Sequence, residues 1–130
     1  MAVSIVRLGS PRQPHEGIRF GTVRRPPRGV PKTQYAAQNW YDVWLPNLSP
    51  SPELFRRAPR GEDDERAWDA FKRRFRAELK KPEASHLLDA LAALSHTADF
   101  AVGCYCEDEQ HCHRAVLRTE LKARGARIRS

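Results

Sequence analysis

Residues 97–125, TADFAVGCYCEDEQHCHRAVLRTELKARG, are the stretch on which the fold prediction depends. Residues 97–106 alternate only weakly and are apolar in the middle, which is typical of a strand that is covered on both faces. Residues 113–125 carry helix-forming residues and end in a glycine, which predicts a final helix. A buried strand that leads through a short polar turn, EDEQ, into a helix is a typical unit of an α/β fold.

The segments before this unit begin with strands. Residues 3–8 and 18–24 have the short apolar patterns of strands, and Ile18, Phe20 and Thr22 are expected on one face. The proline-rich stretch RRPPRGVPK that follows predicts a stiff, extended, basic loop, because proline removes a backbone donor and fixes φ.

The clearest helix is expected over residues 61–81. Its first turn is acidic and its end is basic, which complements the helix dipole. Its apolar residues form one stripe, which is more typical of a core face than of a ligand site: Trp68, Phe71, Phe75 and Leu79.

Two further helix starts are marked by proline. Ser51 is a candidate N-cap before Pro52, and Pro82 begins a helix whose leucines at 87, 88, 91 and 94 are expected to face the core. The order of elements predicts an α/β fold, a single-domain sandwich in which a small, at least partly parallel sheet is flanked by helices.

Length and charge limit the domain count and the partners. A chain of 130 residues suits one domain, in which the basic, proline-rich half 1–60 packs on the helical half 61–130. The first half carries ten Lys or Arg and three Asp or Glu, a net charge of +7, and the second half carries thirteen of each. This excess indicates an anionic small molecule or a nucleic acid as partner, with a basic surface kept for solubility as the alternative.

The sequence also bears on location. No apolar run is long enough for a membrane span, and the start of the chain lacks a signal-peptide pattern. Three cysteines within nine residues are a poor disulfide framework. We therefore expect a cytoplasmic protein, without a membrane partner, and the sequence leaves its oligomeric state open.

All three cysteines lie in the stretch GCYCEDEQHCHR. Cys104 and Cys106 are two apart on the predicted strand, so their side chains share one face. Cys112, His113 and Arg114 lie where the next helix begins, and the free N–H groups of a helix start favour an anion. The positive potential there lowers the pKa of a thiol, which makes Cys112 a candidate thiolate with His113 as its proton partner. The alternative is a cysteine packed beneath the loop.

A metal site is a second interpretation of this stretch. Cys104, Cys106 and Cys112 with either His111 or His113 match zinc or iron in the number and kind of ligands. The spacing C-x-C-x5-C-H is compressed compared with common structural zinc sites, so we do not favour zinc or iron as a cofactor.

A third interpretation comes from HCHRAVLRT, which fits the H-C-x5-R-[ST] signature of tyrosine phosphatases. The phosphate loop of that signature normally relies on glycine, whereas the interval here is helix-forming. If a helix begins at Cys112, Arg118 lies roughly 9 Å along its axis and about 240° around it. That position is too far to clamp a phosphate held at Cys112, so the phosphatase interpretation is disfavoured.

Four motifs occur in order along the chain: PRG at residues 27–29, DVWLPNLSPSPEL, WDAFKRRFRAEL and CHRAVLRTEL. Together they resemble the bacterial YeaO-like family, a DUF488-type domain of unknown function. The chain departs from the family pattern at VRRPPRG, where the family has D-R-L-W-P-R-G, and at Pro46 and Ser49. The resemblance implies an α/β fold and no settled activity. It keeps Arg25, Arg28 and Ser51 in register as candidate ligand contacts.

The leading hypothesis is an anion pocket built from the helix start at Arg114 and the loop of Arg25 and Arg28, with Ser51 nearby. The expected ligand carries a phosphate and is a nucleotide, another small molecule or a nucleic-acid end. The alternatives are a non-enzymatic nucleic-acid-binding module and a small zinc or iron site on the cysteine loop. The sequence does not decide whether the chain is an enzyme.

Overall fold

One parallel sheet lies at the centre of the fold. The computed structural model describes residues 1–59, 64–106 and 109–129. Within these residues four strands form the sheet: Val3–Arg7 (β1), Ile18–Gly21 (β2), Val43–Trp44 (β3) and Phe100–Cys104 (β4). They lie in the order β1-β4-β2-β3, and each neighbouring pair is parallel. The predicted α/β fold with a parallel sheet is therefore confirmed.

Four α-helices in the described ranges accompany the sheet: Pro52–Arg56 (α1), Glu65–Glu78 (α2), Pro82–Leu94 (α3) and His113–Ala123 (α4). The predicted starts of α1 and α3 are confirmed, because each has proline in its first turn. The start predicted for α2 at residue 61 lies outside the described residues. Gly125, with a φ of 83°, follows the end of α4, where a left-handed residue is favourable.

The central strand is β4, in which all five residues are buried. It pairs with β1 on one side and with β2 on the other. Helices and strands share one large apolar cluster, which includes the predicted stripe of α2: Trp68, Phe71, Phe75 and Leu79. In α3, Leu88 and Leu91 are buried as predicted, but Leu94 is 39% exposed because it lies about 100° around the helix from the centre of the buried face.

Strand β2 departs from its predicted pattern. Phe20 packs against the core, but Ile18 is exposed and Arg19 is wholly buried. Arg19 Nε donates to Glu16 Oε1 at 2.6 Å, and Arg19 Nη1 donates to the carbonyls of Ser10 and Asn39. An arginine can face inward here because β2 lies between two strands and its second face is covered by these loops.

The carboxyl ends of parallel strands meet at one edge of a sheet, where open α/β folds bind their ligands. Here β1 leads into Leu8, β2 leads into the proline-rich loop, and β4 leads into the cysteine stretch. After α4, Ile128 forms a single parallel bridge with Val3. No helix in the described parts of the chain has the length and apolar character that crossing a bilayer requires.

Candidate functional site

The three cysteines converge at the carboxyl edge of β4. The Sγ atoms of Cys104, Cys106 and Cys112 all lie within 4.8 Å of one another. Cys104 ends the central strand, Cys106 follows it, and Cys112 is the N-cap residue of α4. Cys104 and Cys112 are buried and Cys106 is exposed. The strand end and the helix start, where the sequence predicted a functional site, therefore bring three free thiols into one cluster.

The thiol with the lowered pKa in this cluster is Cys106. Hydrogen bonds from Cys104 and Cys112 stabilise its thiolate, and the positive charge of Arg114 adds to this, so the pKa of Cys106 falls well below its ordinary value. Cys112 receives a favourable hydrogen bond from Cys104. Its hydrogen bond to Cys106, its burial and the charge of Cys106 outweigh that bond and raise the pKa of Cys112 to about 11. A catalytic role for Cys112 stays a prediction.

His113 is held in one tautomer by the backbone. Its Nε2 lies 2.6 Å from the carbonyl oxygen of Thr22, which can only accept a hydrogen bond, so Nε2 carries the proton. Burial lowers the pKa of His113, which keeps the ring neutral. Its Nδ1 lies 3.9 Å from Cys112 Sγ. The ring therefore offers a lone pair toward that thiol, and its edge packs against Phe75.

Arg114 lies beneath the cluster instead of in an open pocket. Its side chain is only 3% exposed, and its Nη2 donates to the Cys106 carbonyl at 2.7 Å. Among the described residues, its Nε has no hydrogen-bond partner. Burial opposes its charge, but the neighbouring thiols and Glu109 outweigh that effect and raise the pKa of Arg114. Arg114, which the sequence predicted to contact an anion, is thus a buried cation beside the thiols.

Arg118 makes an ion pair of its own. Its Nε and Nη2 donate to Glu109 at 2.6 and 2.9 Å. Because Arg118 and Cys112 lie on one continuous helical segment, no phosphate-clasping loop separates them. This agrees with the geometric argument against the phosphatase interpretation.

Two cavities open at the same edge of the sheet. The smaller, of about 190 Å³, is lined by the cluster residues Cys104 and Cys106, by His113 and by apolar side chains that include Phe55. The larger, of about 590 Å³, is lined by basic and aromatic residues together with the turn after β1: Arg7, Leu8, Gly9, Ser10, Arg25, Pro26, Pro27, Arg28, Trp40 and Tyr105. Arg25 and Tyr105 line both cavities, so the basic cleft and the thiol pocket are neighbours.

The candidate ligand residues of the sequence analysis separate into two groups. Arg25 and Arg28 line the larger cavity, and within the described residues neither guanidinium has a hydrogen bond or an ion pair. Ser51 is engaged elsewhere, because its N–H and hydroxyl donate to Glu78 at 2.8 and 2.5 Å while its oxygen caps α1. Because both of its donors bind Glu78, we do not include Ser51 in the proposed site.

Trp40 and Tyr105, which line the larger cavity, were not among the ligand contacts predicted from the sequence. The Tyr105 hydroxyl donates to the Arg25 carbonyl at 2.9 Å. The ring of Tyr105 packs edge to face with that of Trp40, and the two ring centroids are 5.8 Å apart. Arg24 stabilises the wall of the smaller cavity, because it donates to the carbonyls of Ser49 and Pro50, which line that cavity with it. Trp40 lies in the aromatic segment NWYDVWL, residues 39–45, and only the strand order brings this segment beside the proline-rich loop.

Comparison with known proteins agrees with the resemblance found in the motifs. No curated protein and no solved structure matches the chain significantly. The family model DUF488-N3a, described as the active DUF488-N3 subclade, matches residues 3–125 and so spans the sheet, the cavities and the cysteine cluster. The chain therefore belongs to the DUF488-N3a family, within the DUF488 type that the YeaO-like motifs indicated.

Proposed function

We propose that the protein binds a phosphate-bearing ligand with a planar ring, such as a nucleotide, in the larger cavity. The observation that carries this proposal is the pair Arg25 and Arg28. Both residues line the cavity, and their guanidinium groups have no partner among the described residues. A guanidinium binds a phosphate through two parallel N–H donors, which makes arginine suited to this ligand class.

The aromatic residues of the cavity support the proposal that the ligand contains a planar ring. Trp40 and Tyr105 line the same cavity and pack edge to face. Aromatic faces bind the bases of nucleotides by stacking, which contributes about 1–3 kcal/mol per base. The cavity volume of about 590 Å³ lies within the range of small-molecule sites.

The position of the cavity gives a third reason. It lies at the carboxyl edge of a parallel sheet, which is the usual ligand position in open α/β folds. The description of the matching family model as active agrees with a chain that keeps a working site.

Titration of the tryptophan fluorescence, to which Trp40 contributes, tests this proposal. The probes are a nucleoside monophosphate, the matching nucleoside without phosphate, and inorganic phosphate. The monophosphate is expected to bind at least tenfold more tightly than the nucleoside, and Arg25→Gln and Arg28→Gln are each expected to remove most of this difference. Arg66→Gln, which changes an exposed residue of α2 away from this cavity, is the control. Equal binding of nucleoside and monophosphate, or no binding of either, overturns the proposal.

A nucleic-acid end is the other source of the same chemistry. A short oligonucleotide with a terminal phosphate is therefore titrated at several salt concentrations. Tighter binding of the oligonucleotide with a steep loss of affinity in salt, through counterion release, assigns the site to nucleic acid. Tighter binding of the free monophosphate with a shallow salt dependence assigns it to a small molecule.

A further inference from the structure

The cysteine cluster is a set of three soft ligands that the proposed phosphate cleft does not use. The Sγ atoms of Cys104, Cys106 and Cys112 lie within 4.8 Å of one another. In a tetrahedral zinc site with Zn–S bonds of about 2.3 Å, the sulfur atoms are about 3.8 Å apart. The three sulfurs therefore need to approach one another by only about an ångström to share one ion.

We propose that Cys104, Cys106 and Cys112 bind one Zn²⁺ through three sulfur atoms and leave the fourth coordination position open to the smaller cavity. Thiolate ligands favour Zn²⁺ over the harder divalent ions. Three protein ligands with one open position are typical of zinc sites that take a water molecule or a ligand atom, whereas structural zinc sites are closed by a fourth residue.

The charge of the surroundings suits this ion. Three thiolates and one Zn²⁺ carry a net charge of −1, and a buried charge needs a partner of opposite sign. Arg114, which is only 3% exposed, lies beside the cluster and supplies the compensating positive charge. Its Nε has no hydrogen-bond partner among the described residues, so this donor is available to a metal-bound sulfur.

No fourth protein ligand closes the site in the described part of the chain. His113 donates from Nε2 to the Thr22 carbonyl, and its Nδ1 lies beside Cys112 Sγ outside the group of three sulfurs. Cys104 and Cys106 line the cavity of about 190 Å³. The fourth position therefore faces the cavity, where a small donor molecule can reach the metal.

Metal analysis of the reduced full chain, purified without chelator and loaded with Zn²⁺, tests the site. About one Zn²⁺ per chain is expected after dialysis. Replacement by Co²⁺ is expected to produce the sulfur-to-cobalt charge-transfer absorption and the visible bands of a tetrahedral site. Added cyanide is expected to shift these bands if the fourth position is open. Absence of charge transfer, or bands that cyanide does not move, overturns the corresponding part of the proposal.

The matched variants separate this site from the phosphate cleft. Cys106→Ser changes the exposed member of the cluster and is expected to weaken Zn²⁺ binding at least tenfold, with the circular dichroism spectrum of the wild type and unchanged nucleotide binding. Arg25→Gln is expected to lose nucleotide binding and to keep Zn²⁺. If Cys106→Ser binds Zn²⁺ as tightly as the wild type, or if all three thiols stay reactive toward a thiol reagent in stoichiometric Zn²⁺, the metal site is rejected.

Discussion

Among single residues, Arg19 and Glu16 connect the sheet to the larger cavity. Their ion pair, 2.6 Å long, has side chains that are 0% and 2% exposed. Arg19 also donates to the carbonyl of Ser10, which lines the larger cavity, and to that of Asn39, which precedes Trp40. The pair therefore holds two walls of the cleft in place.

Arg19→Met is expected to destabilise the protein by about 3–5 kcal/mol, because it leaves the Glu16 carboxylate buried without a partner. Urea denaturation measures this loss in the free energy of unfolding. The double variant Arg19→Met with Glu16→Leu removes both charges and is expected to recover part of the loss, although the two carbonyls stay unpaired. A loss below 1 kcal/mol in the single variant contradicts the structural role of the pair.

The burial of Arg19 was not predictable from its neighbours. The alternation of Ile18, Arg19 and Phe20 predicts that the arginine side chain points outward from the sheet. Its environment depends on Glu16 and on loops far along the chain, which no local pattern reveals. The convergence of the cysteines was easier to predict, because one strand and the next helix start lie within nine residues. Which thiol has the lowered pKa depends on hydrogen bonds among all three.

At the scale of elements, Ser51 joins two helices. Its side-chain oxygen accepts a hydrogen bond from the N–H of Leu54 in α1, and its own hydroxyl and N–H bind the Glu78 carboxylate at the end of α2. Local capping chemistry made the start of α1 predictable. The contact with Glu78 spans 27 positions and was not predictable, and Ser51 was a candidate ligand contact because the family resemblance keeps it in register.

Ser51→Ala is expected to destabilise the protein by about 1 kcal/mol, because the cap of α1 and the hydroxyl contact with Glu78 are both lost. Ser51→Thr keeps the hydroxyl and is expected to retain most of the stability. Thermal denaturation measures both effects, and the nucleotide titration of the same variants is expected to be unchanged. A tenfold loss of nucleotide binding in stable Ser51→Ala would return Ser51 to the ligand site.

At the scale of the whole molecule, the strand order explains why the fold was more predictable than the site. Helix caps and apolar periodicity are local, and they located most elements. The order β1-β4-β2-β3 comes from pairings across most of the chain, such as Val3 with Phe100. That order places Arg25 and Tyr105 between the two cavities, although they lie 80 positions apart. Arg114, which the sequence placed with Arg25, lies buried below the thiols instead.

Two aspartates hold distant parts of the molecule together and make its stability depend on acid. Asp42 accepts from Arg12 at 2.8 Å and from the N–H of Arg19. Burial opposes its charge, but the Arg12 hydrogen bond and then the Arg19 N–H lower the pKa of Asp42 below its ordinary value. Asp99 accepts from the N–H of Ala2, which lowers its pKa most, and from Arg129, so it fastens both ends of the chain to β4.

A lowered pKa in the folded state means that the unfolded chain binds protons more readily as the solution becomes acidic. The contribution of each aspartate is therefore complete above the unfolded pKa of about 4 and is lost as the pH falls through the lower folded value. Asp42→Asn is expected to cost about 1 kcal/mol at pH 7, and the difference from wild type is expected to shrink below pH 4. For Asp99→Asn, the difference in stability from the wild type is likewise expected to shrink as the pH falls below 4.

Denaturation from pH 7 to pH 2.5 measures these differences, with Asp69→Asn on the exposed face of α2 as control. Because Asp69 has no hydrogen bond or ion pair within the described residues, its variant is expected to track the wild type at every pH. A difference for Asp42→Asn that stays constant down to pH 2.5 would mean that its carboxylate charge does not hold the loop of Arg12 to β2. Wild-type behaviour of Asp42→Asn at neutral pH would lead to the same conclusion.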